Sequence, residues 1–328
     1  MSGGNRDLGS NVPLGEGHGG SGEAGHVAVL LEEVIGFLDV QRGGAYIDAT
    51  LGLGGHSYEI ARRLGRQGRL IGFDKDEEAL KAAGQRLRNP PPELTGDWPQ
   101  VTLVHASFAE ITGHAARAGI DGLVADLGVS SVQLGNAARG FSFQADGPLD
   151  MRMNAQAGQT ADQVVNQFDE EALADLIYEF GDERRSRRIA RAIVRARPVH
   201  TTAHLAQVIS AAARPMKSRG KAHGHTIHPA TLTFQAIRIF VNRELEDLEE
   251  LLRSASQVLK PGGRMVVISF QSLEDRRVKD AFRLGAQQGI YQVLTRKPVT
   301  ASPQEVRRNP RSRSAKLRAV EVQEAAPA

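Results

Sequence analysis

The chain has no cysteine and one tryptophan, and aromatic residues make up only 5% of it. Without thiols there is no disulfide, no cysteine metal site and no thiol nucleophile, which is compatible with a reducing compartment. No stretch approaches the roughly 20 consecutive apolar residues that a membrane-spanning helix needs, so the expectation is a soluble, cytoplasmic protein with no membrane partner. Residues 1–25 are rich in Gly, Ser and Asn and hold no apolar run. They lack the core of a secretory signal, cannot offset the entropy of ordering, and read as a disordered tail. No internal repeat is visible. Acids are missing from one place in particular: Arg307 to Arg318, RRNPRSRSAKLR, holds Arg307, Arg308, Arg311, Arg313, Lys316 and Arg318 without a single carboxylate. The formal net charge is only +3, yet the pI is about 9.3. Local clusters of this kind point to a polyanionic partner such as nucleic acid.

What is present is enough for a sizeable core: 328 residues, 41% of them hydrophobic. The chain is organised around AYIDATLGLGGHS, Ala45 to Ser57. Its apolar start suits a short buried strand closed by Asp48. Gly52, Gly54 and Gly55 permit turn angles and close ligand approach that a Cβ would block. The helix expected over His56 to Leu64 aims its free N–H groups and positive dipole end at that turn, favouring a carboxylate or phosphate there. The turn departs from G-x-G-x-x-G, because the sixth position is Ser57 and the third glycine adjoins the second, which weighs against a nicotinamide dinucleotide. A second strand, Arg69 to Phe73, ends in Asp74, about twenty residues on, where an acid can hold ribose hydroxyls. The alternative is an ordinary βα turn beside a surface aspartate.

The pattern then repeats: helix Asp76 to Leu87, a proline-rich loop, strand Val101 to Val104, helix Phe108 to Ala118, strand Gly122 to Asp126. Alternation of this kind predicts an α/β fold with a parallel, doubly wound sheet and ligands over the carboxyl ends of its strands. Asp48, Asp74 and Asp126 all fall at such ends. After Asp126 runs a long segment with few helix signals, in which Ser130, Ser131 and Gln133 are candidates to bond a base edge or cofactor. Phe141 and Phe143 read as core anchors ahead of base-stacking platforms.

From about Thr160 to Arg214 helical periodicity takes over, as expected of an inserted helical domain. One helix carries Arg184, Arg185, Arg187, Arg188, Arg191, Arg195 and Arg197. This is either an RNA-phosphate surface or a solvated face paired to Asp182 and Glu183. MKSRGKAHGHTIH follows, with His223, His225 and His228. H-x-H-x-x-H is a metal candidate, but glycines, lysines and the lack of a nearby acid favour a loop over RNA, and no metal is expected. After Pro229 a single long amphipathic helix is predicted to Leu259. MVVISF rejoins the sheet, placing Ser269, Gln271, Glu274 and Asp275 beside the cleft. LRAVEV is predicted to pair as a last edge strand.

Taken together, DATLGLGGHS, DLGVSSVQL with RGFSF and GPLDMRM, HPATLTFQAIRIFVNRELEDLE, VLKPGGRMVVISFQSLEDR and RKPVTASPQEVRRNPRSRSAKLR resemble the bacterial 16S rRNA cytosine-N4 methyltransferases, the RsmH or MraW family. The resemblance runs from about His26 to Val322. It implies a class I, Rossmann-like methyltransferase sheet with an inserted helical domain, S-adenosyl-L-methionine as donor, and N4-methylation of a cytidine in the decoding region of 16S rRNA in the small ribosomal subunit. The implied domains are 26–135 and 229–322 for the methyltransferase, the latter with the basic C-terminal segment, 136–228 for a substrate-recognition insert, and 323–328 for a tail. The implied donor contacts are Gly54, Gly55, His56, Asp74, Phe108, Asp126 and Gln133. Asp126 is the catalytic candidate, either as acceptor for the target amine or as partner of the donor's amino group. Arg184, Arg185, Arg188, His225, Arg311 and Arg313 are the RNA candidates. Three departures stand out: Ala28 and Val132 where the family usually has proline, with Gly135 for its aspartate, and Gln271 for a histidine. Monomer and homodimer both stay open, and a non-catalytic ribosome-assembly factor that retains the cofactor pocket is the competing function.

Overall fold

The computed structural model describes residues 28–115, 119–213 and 228–324. After α1 (Leu31–Leu38), the chain lays down β1 (Ala45–Asp48), α2 (Gly55–Leu64), β2 (Arg69–Asp74), α3 (Glu77–Arg88), β3 (Gln100–His105), α4 (Ile111–His114) and β4 (Ile120–Asp126). All four residues of β1 are buried, as expected of a strand covered on both faces. β1 pairs in parallel with β2 and β4, and β2 with β3. The Asp76 side chain accepts from the Glu78 N–H and starts α3. The helix expected over Phe108 to Ala118 is shorter: a 3-10 turn at Phe108–Glu110 runs into α4, and residues 116–118 lie outside the described residues.

The segment read as helix-poor contains α5 (Ser131–Gly135), started by a reciprocal cap in which Ser130 accepts from the Gln133 N–H and Gln133 from the Ser130 N–H. Ser-x-x-Gln is the sequence signature of that cap. Gly140, φ +71°, then turns the chain. A Cβ there would lie 2.2 Å from the Pro148 carbonyl oxygen and 2.9 Å from the Asp150 nitrogen. Backbone cannot yield as a side chain can, so Gly140→Ala is expected to cost about 3 kcal/mol or more, read as a lower denaturation midpoint.

The helices α6 (Ala161–Gln167), α7 (Glu170–Gly181), α8 (Ser186–Ala196) and α9 (Thr202–Ala213) form a second unit with its own core. Phe141 lies in that core, and Phe143 packs on it with its ring against Phe234, so both phenylalanines are anchors. The single long helix expected after Pro229 is two: α10 (Thr231–Asn242) and α11 (Glu244–Val258), broken at Arg243 with φ 51°. The break lets one amphipathic run serve two cores. Phe234 and Ile237 of α10 pack in the helical unit, whereas Leu248, Leu251 and Val258 of α11 cover the sheet. The helical core therefore continues past residue 228, the end of the insert expected from sequence.

β5 (Leu259–Ser269), α12 (Ser272–Gln287), β6 (Tyr291–Val293), α13 (Pro303–Arg308) and β7 (Lys316–Val322) complete the chain. The sheet order is β3-β2-β1-β4-β5-β7-β6, with β7 antiparallel to both neighbours. This is the class I methyltransferase sheet, with α1, α2 and α3 packed on one face and α11 and α12 on the other. The edge-strand expectation for LRAVEV is corrected: β7 is interior, with Leu317, Ala319 and Val320 buried, and β6 forms the edge. Arg318, which belongs to the acid-free basic block read as a polyanion surface, is instead buried and bonded through its Nε–H to Asp275 at 2.7 Å.

Candidate active site

The carboxyl ends of β1, β2, β4 and β5 open on a cleft of about 570 Å³. Beneath its floor, Asp48 accepts from the Thr50 N–H at 3.1 Å and the Ser57 hydroxyl at 2.7 Å, so it ties the two ends of the glycine turn together. Burial pushes its carboxyl up despite those donors. Gly52 and Gly54 have φ +51° and +72°, the left-handed angles the turn requires. Gly52, Gly55 and His56 line the cleft. Gly54 is not on its wall; it packs toward Ala83, which a Cβ would meet at 3.2 Å. Its part is to shape the turn.

Asp74 lines the cleft at the end of β2. It accepts the Gly52 N–H and the Asp76 N–H, each at 2.8 Å. Burial nevertheless raises its carboxyl to about 6, with Asp76 and Asp48 adding to the rise. Asp126 is the corresponding acid of β4. Its backbone N–H donates to the Thr50 hydroxyl at 2.6 Å, fixing the strand end, while its Oδ1 is buried with no hydrogen-bond partner among the described residues. Burial pushes this carboxyl to about 6 as well, with Asp48 raising it and His56 and Arg311 opposing. His56 Nδ1 stands 3.9 Å from Asp126 Oδ2, and its Nε2 lies 2.9 Å from the Val29 carbonyl. A carbonyl only accepts, so Nε2 carries a proton and Nδ1 is the ring atom turned to the acid.

Phe108 presents an apolar wall, as does Leu248. Gln133 also reaches the cleft, but its carboxamide is engaged: Nε2 donates to Asp76 Oδ2 at 2.8 Å and Oε1 accepts from the Ser130 N–H. Arg139, from the RGFSF motif, adds a 2.9 Å ion pair to the same Asp76 oxygen and locks the loop to the start of α3.

Sequence reasoning missed another part of the cleft wall. Gln235, Arg238 and Glu244, from α10 and the start of α11, face the cleft together with Gln271 and Glu274. Arg238 makes a two-point pair with Glu244, at 2.7 and 2.8 Å. Gln271 donates to Glu274 at 2.7 Å, and burial raises the Glu274 carboxyl. Ser269 and Asp275 lie off the cleft wall. A helix that reads as packing in sequence gave no sign of these residues, because its cleft face is set by the break at Arg243. Arg308, Asn309, Arg311 and Ser314 form the rim, so part of the basic C-terminal block belongs to the site.

Elsewhere on that block, on α8 and in the turn just before it, which holds Arg184 and Arg185, the candidates divide. Arg184, Arg188 and Arg313 are exposed, and no ion pair involves them among the described residues. Arg185 is held by Glu183 at two points and donates to the Ala213 carbonyl, which makes it a structural residue. His223 and His225 lie outside the described residues, and His228 packs against Phe143. Among the described residues no group of three His, Cys, Asp or Glu is placed to hold a metal, and no helix is long and apolar enough to cross a membrane.

The model of the MraW methylase family matches residues 23–323. The chain belongs to the MraW methylase family. It is 64% identical over 310 residues to the ribosomal RNA small subunit methyltransferase H of Koribacter versatilis, covering 94% of this chain and 97% of that one. The protein of the same name from Acidobacterium capsulatum is 62% identical over 296 residues, covering 90% and 98%. A solved rRNA methylase from Streptococcus thermophilus overlays with a TM-score of 0.41 at 13% identity, covering 92% of this chain and all, 100%, of the other. The assignment rests on the family match and the two close relatives.

Proposed function

We propose that the protein transfers a methyl group from S-adenosylmethionine to the N4 amine of a cytidine in the decoding region of 16S rRNA. The observation that carries this reading is Asp126, a half-buried acid at the end of β4, on the cleft wall, with a buried acceptor oxygen that no described group satisfies. The residues fit the donor. The cleft volume suits a ligand of that size, Asp74 is placed for ribose hydroxyls, Phe108 and Leu248 offer apolar surface for the adenine, and α2 begins at the glycine turn, where a carboxylate is favoured. Gly55, His56 and Gln133 complete the wall.

When bound, the donor supplies a sulfonium methyl, an electrophile strong enough to need no metal. A cytosine amine is a weak nucleophile because its lone pair is delocalised into the ring. Asp126 would accept an N–H of that amine, orienting it toward the methyl, and would take up its proton as the C–N bond forms and the sulfur–methyl bond breaks, the donor leaving as a neutral thioether. His56, 3.9 Å from the carboxylate, favours the ionised form that takes the proton. Reaching the amine requires an unstacked base. We assign its capture to the helical unit and the basic segments, with Arg184, Arg188, Arg311 and Arg313 on RNA phosphates, and the recognition insert is drawn from residue 136 to Asn242.

The test is transfer of labelled methyl to small subunits from a strain lacking the family enzyme, followed by nucleoside analysis. N4-methylcytidine formed by the wild type and absent with Asp126→Ala supports the reading. Donor binding without transfer to subunits or naked rRNA would favour a non-catalytic assembly factor. Asp74→Ala is expected to weaken donor binding by roughly 10- to 100-fold, the effect of removing a charged acceptor from two hydroxyls, measured by calorimetry.

A further inference from the structure

The balance of charge in the cleft singles out a second anion site. Among the described residues, four Lys and Arg side chains line it: Lys75, Arg238, Arg308 and Arg311. Two are neutralised within the protein, Lys75 by Asp247 at 2.5 Å and Arg238 by Glu244 at 2.7 Å. Arg308 and Arg311 have no carboxylate at ion-pair distance among the described residues.

Both uncommitted arginines lie on the strap formed by α13 and the 3-10 turn Pro310–Ser314. The strap is tied down at each end. Glu305 accepts the Leu30 N–H at 2.8 Å, next to the Val29 carbonyl that holds His56. Arg311 Nη1 donates to the Ser131 hydroxyl at 2.6 Å and Nη2 to the Ser130 carbonyl at 3.4 Å. A guanidinium has five N–H donors, so Arg311 is held in position with three to spare. It is also near enough to Asp126 to act on that carboxylate. An anion at Arg311 therefore lies close to the reacting end of the cleft. On the proposed donor reading, its carboxylate is favoured elsewhere, at the N-terminus of α2 on the glycine-turn wall.

We propose that Arg311, assisted by Arg308, binds the backbone phosphate flanking the target cytidine and thereby positions the unstacked base against Asp126. The inference rests on the cytidine-methylation reading and refines it. Arg184, Arg188 and Arg313 contribute diffuse attraction to rRNA, whereas Arg311 registers one nucleotide. Arginine suits this task, since its fork engages two phosphate oxygens at once.

The experiment compares the wild type with Arg311→Met, Arg311→Lys and Arg184→Met on small subunits lacking the modification, with initial rates at several salt concentrations and donor binding by calorimetry. Arg311→Met is expected to lower kcat/KM for subunits by roughly 10- to 100-fold, the loss of a charged hydrogen-bonded contact. Donor Kd should stay within about twofold, and the logarithmic salt slope of kcat/KM should become shallower by about 1. Arg311→Lys, which keeps the charge, should recover part of the loss. A donor Kd raised about tenfold or more in Arg311→Met would mean the anion is the donor's carboxylate, and would overturn the proposal. So would an unchanged salt slope, which would leave Arg311 only its structural bonds to Ser130 and Ser131, or a loss no greater than that of Arg184→Met. If the wild type forms no N4-methylcytidine, the function reading fails first; if it does and Arg311→Met matches it, only this inference fails.

Discussion

Asp126→Asn is expected to lower methyl transfer by about 10²- to 10⁴-fold, the usual contribution of a positioned general base, while making the free protein more stable at neutral pH. Both effects have one cause. The Asp126 carboxyl is raised from 3.8 to about 6 by burial, so the folded protein holds its proton more tightly than the unfolded chain. Below pH 3.8 both states are protonated and the acid costs nothing. As pH rises through 3.8 and on past 6, the unfolded chain ionises first, and stability falls until the full cost is present above 6. Asparagine removes that cost, a gain of about 1–3 kcal/mol at pH 7.5 that vanishes near pH 3.5. Denaturant unfolding at the two pH values measures it, and equal stabilities at pH 7.5 would refute it.

The same carboxyl predicts an acid limb in the rate profile. Asp126 must be ionised to take a proton, so kcat should fall below about pH 6. The groups acting on it are Asp48, His56 and Arg311. Asp74 also titrates near 6, but at the donor's ribose. Saturating donor separates the two, because it masks a loss of donor affinity and leaves the Asp126 limb in kcat.

Ending the chain after Ala315 is expected to abolish folding. It removes β7, whose six residues in register with β5 and three with β6 join the sheet to its last strand. Leu317 and Val320 are both fully buried, at 0% exposure, and each is worth about 1.5–3 kcal/mol on burial. Arg318 leaves with them and strands the Asp275 carboxylate. Against a total stability of about 5–15 kcal/mol, loss of an interior strand is not survivable. Ending the chain after Gln323 keeps β7 whole and should leave solubility and melting unchanged. Soluble expression and circular dichroism distinguish this from an edge strand, whose removal a sheet tolerates better.

The parallel half of the sheet was legible because each βα unit is encoded locally. Buried strands such as Ala45–Asp48 read as short apolar runs, glycines mark the turn, and the strand-end acids Asp48, Asp74 and Asp126 fall where ligands meet such sheets. The antiparallel β7 was not legible in this way. LRAVEV reads the same at an edge or in the interior, since the neighbour that covers it, β6, is a three-residue strand with little pattern of its own. The helix pair α10 and α11 was missed for a related reason. Helical periodicity runs through Asn242 and Arg243 without a proline or glycine, and only the two cores on either side demand a break there.

The residues themselves determined the chemistry available: no thiol, a glycine turn beside a helix start, three acids at strand ends, and an acid-free basic block. These depend on side-chain type and short spacing, which the chain carries wherever it folds. Tertiary structure decided which groups act together. It brought Gln235, Arg238 and Glu244 into the same cleft as Asp126, committed Gln133 and Arg185 to structural partners, and neutralised two of the four cleft cations among the described residues. Such pairings join residues far apart in the chain, such as Lys75 with Asp247 and Arg311 with Ser131. Whether a charge is spent inside the protein or left for a ligand depends on that distant neighbour, and no local pattern names it.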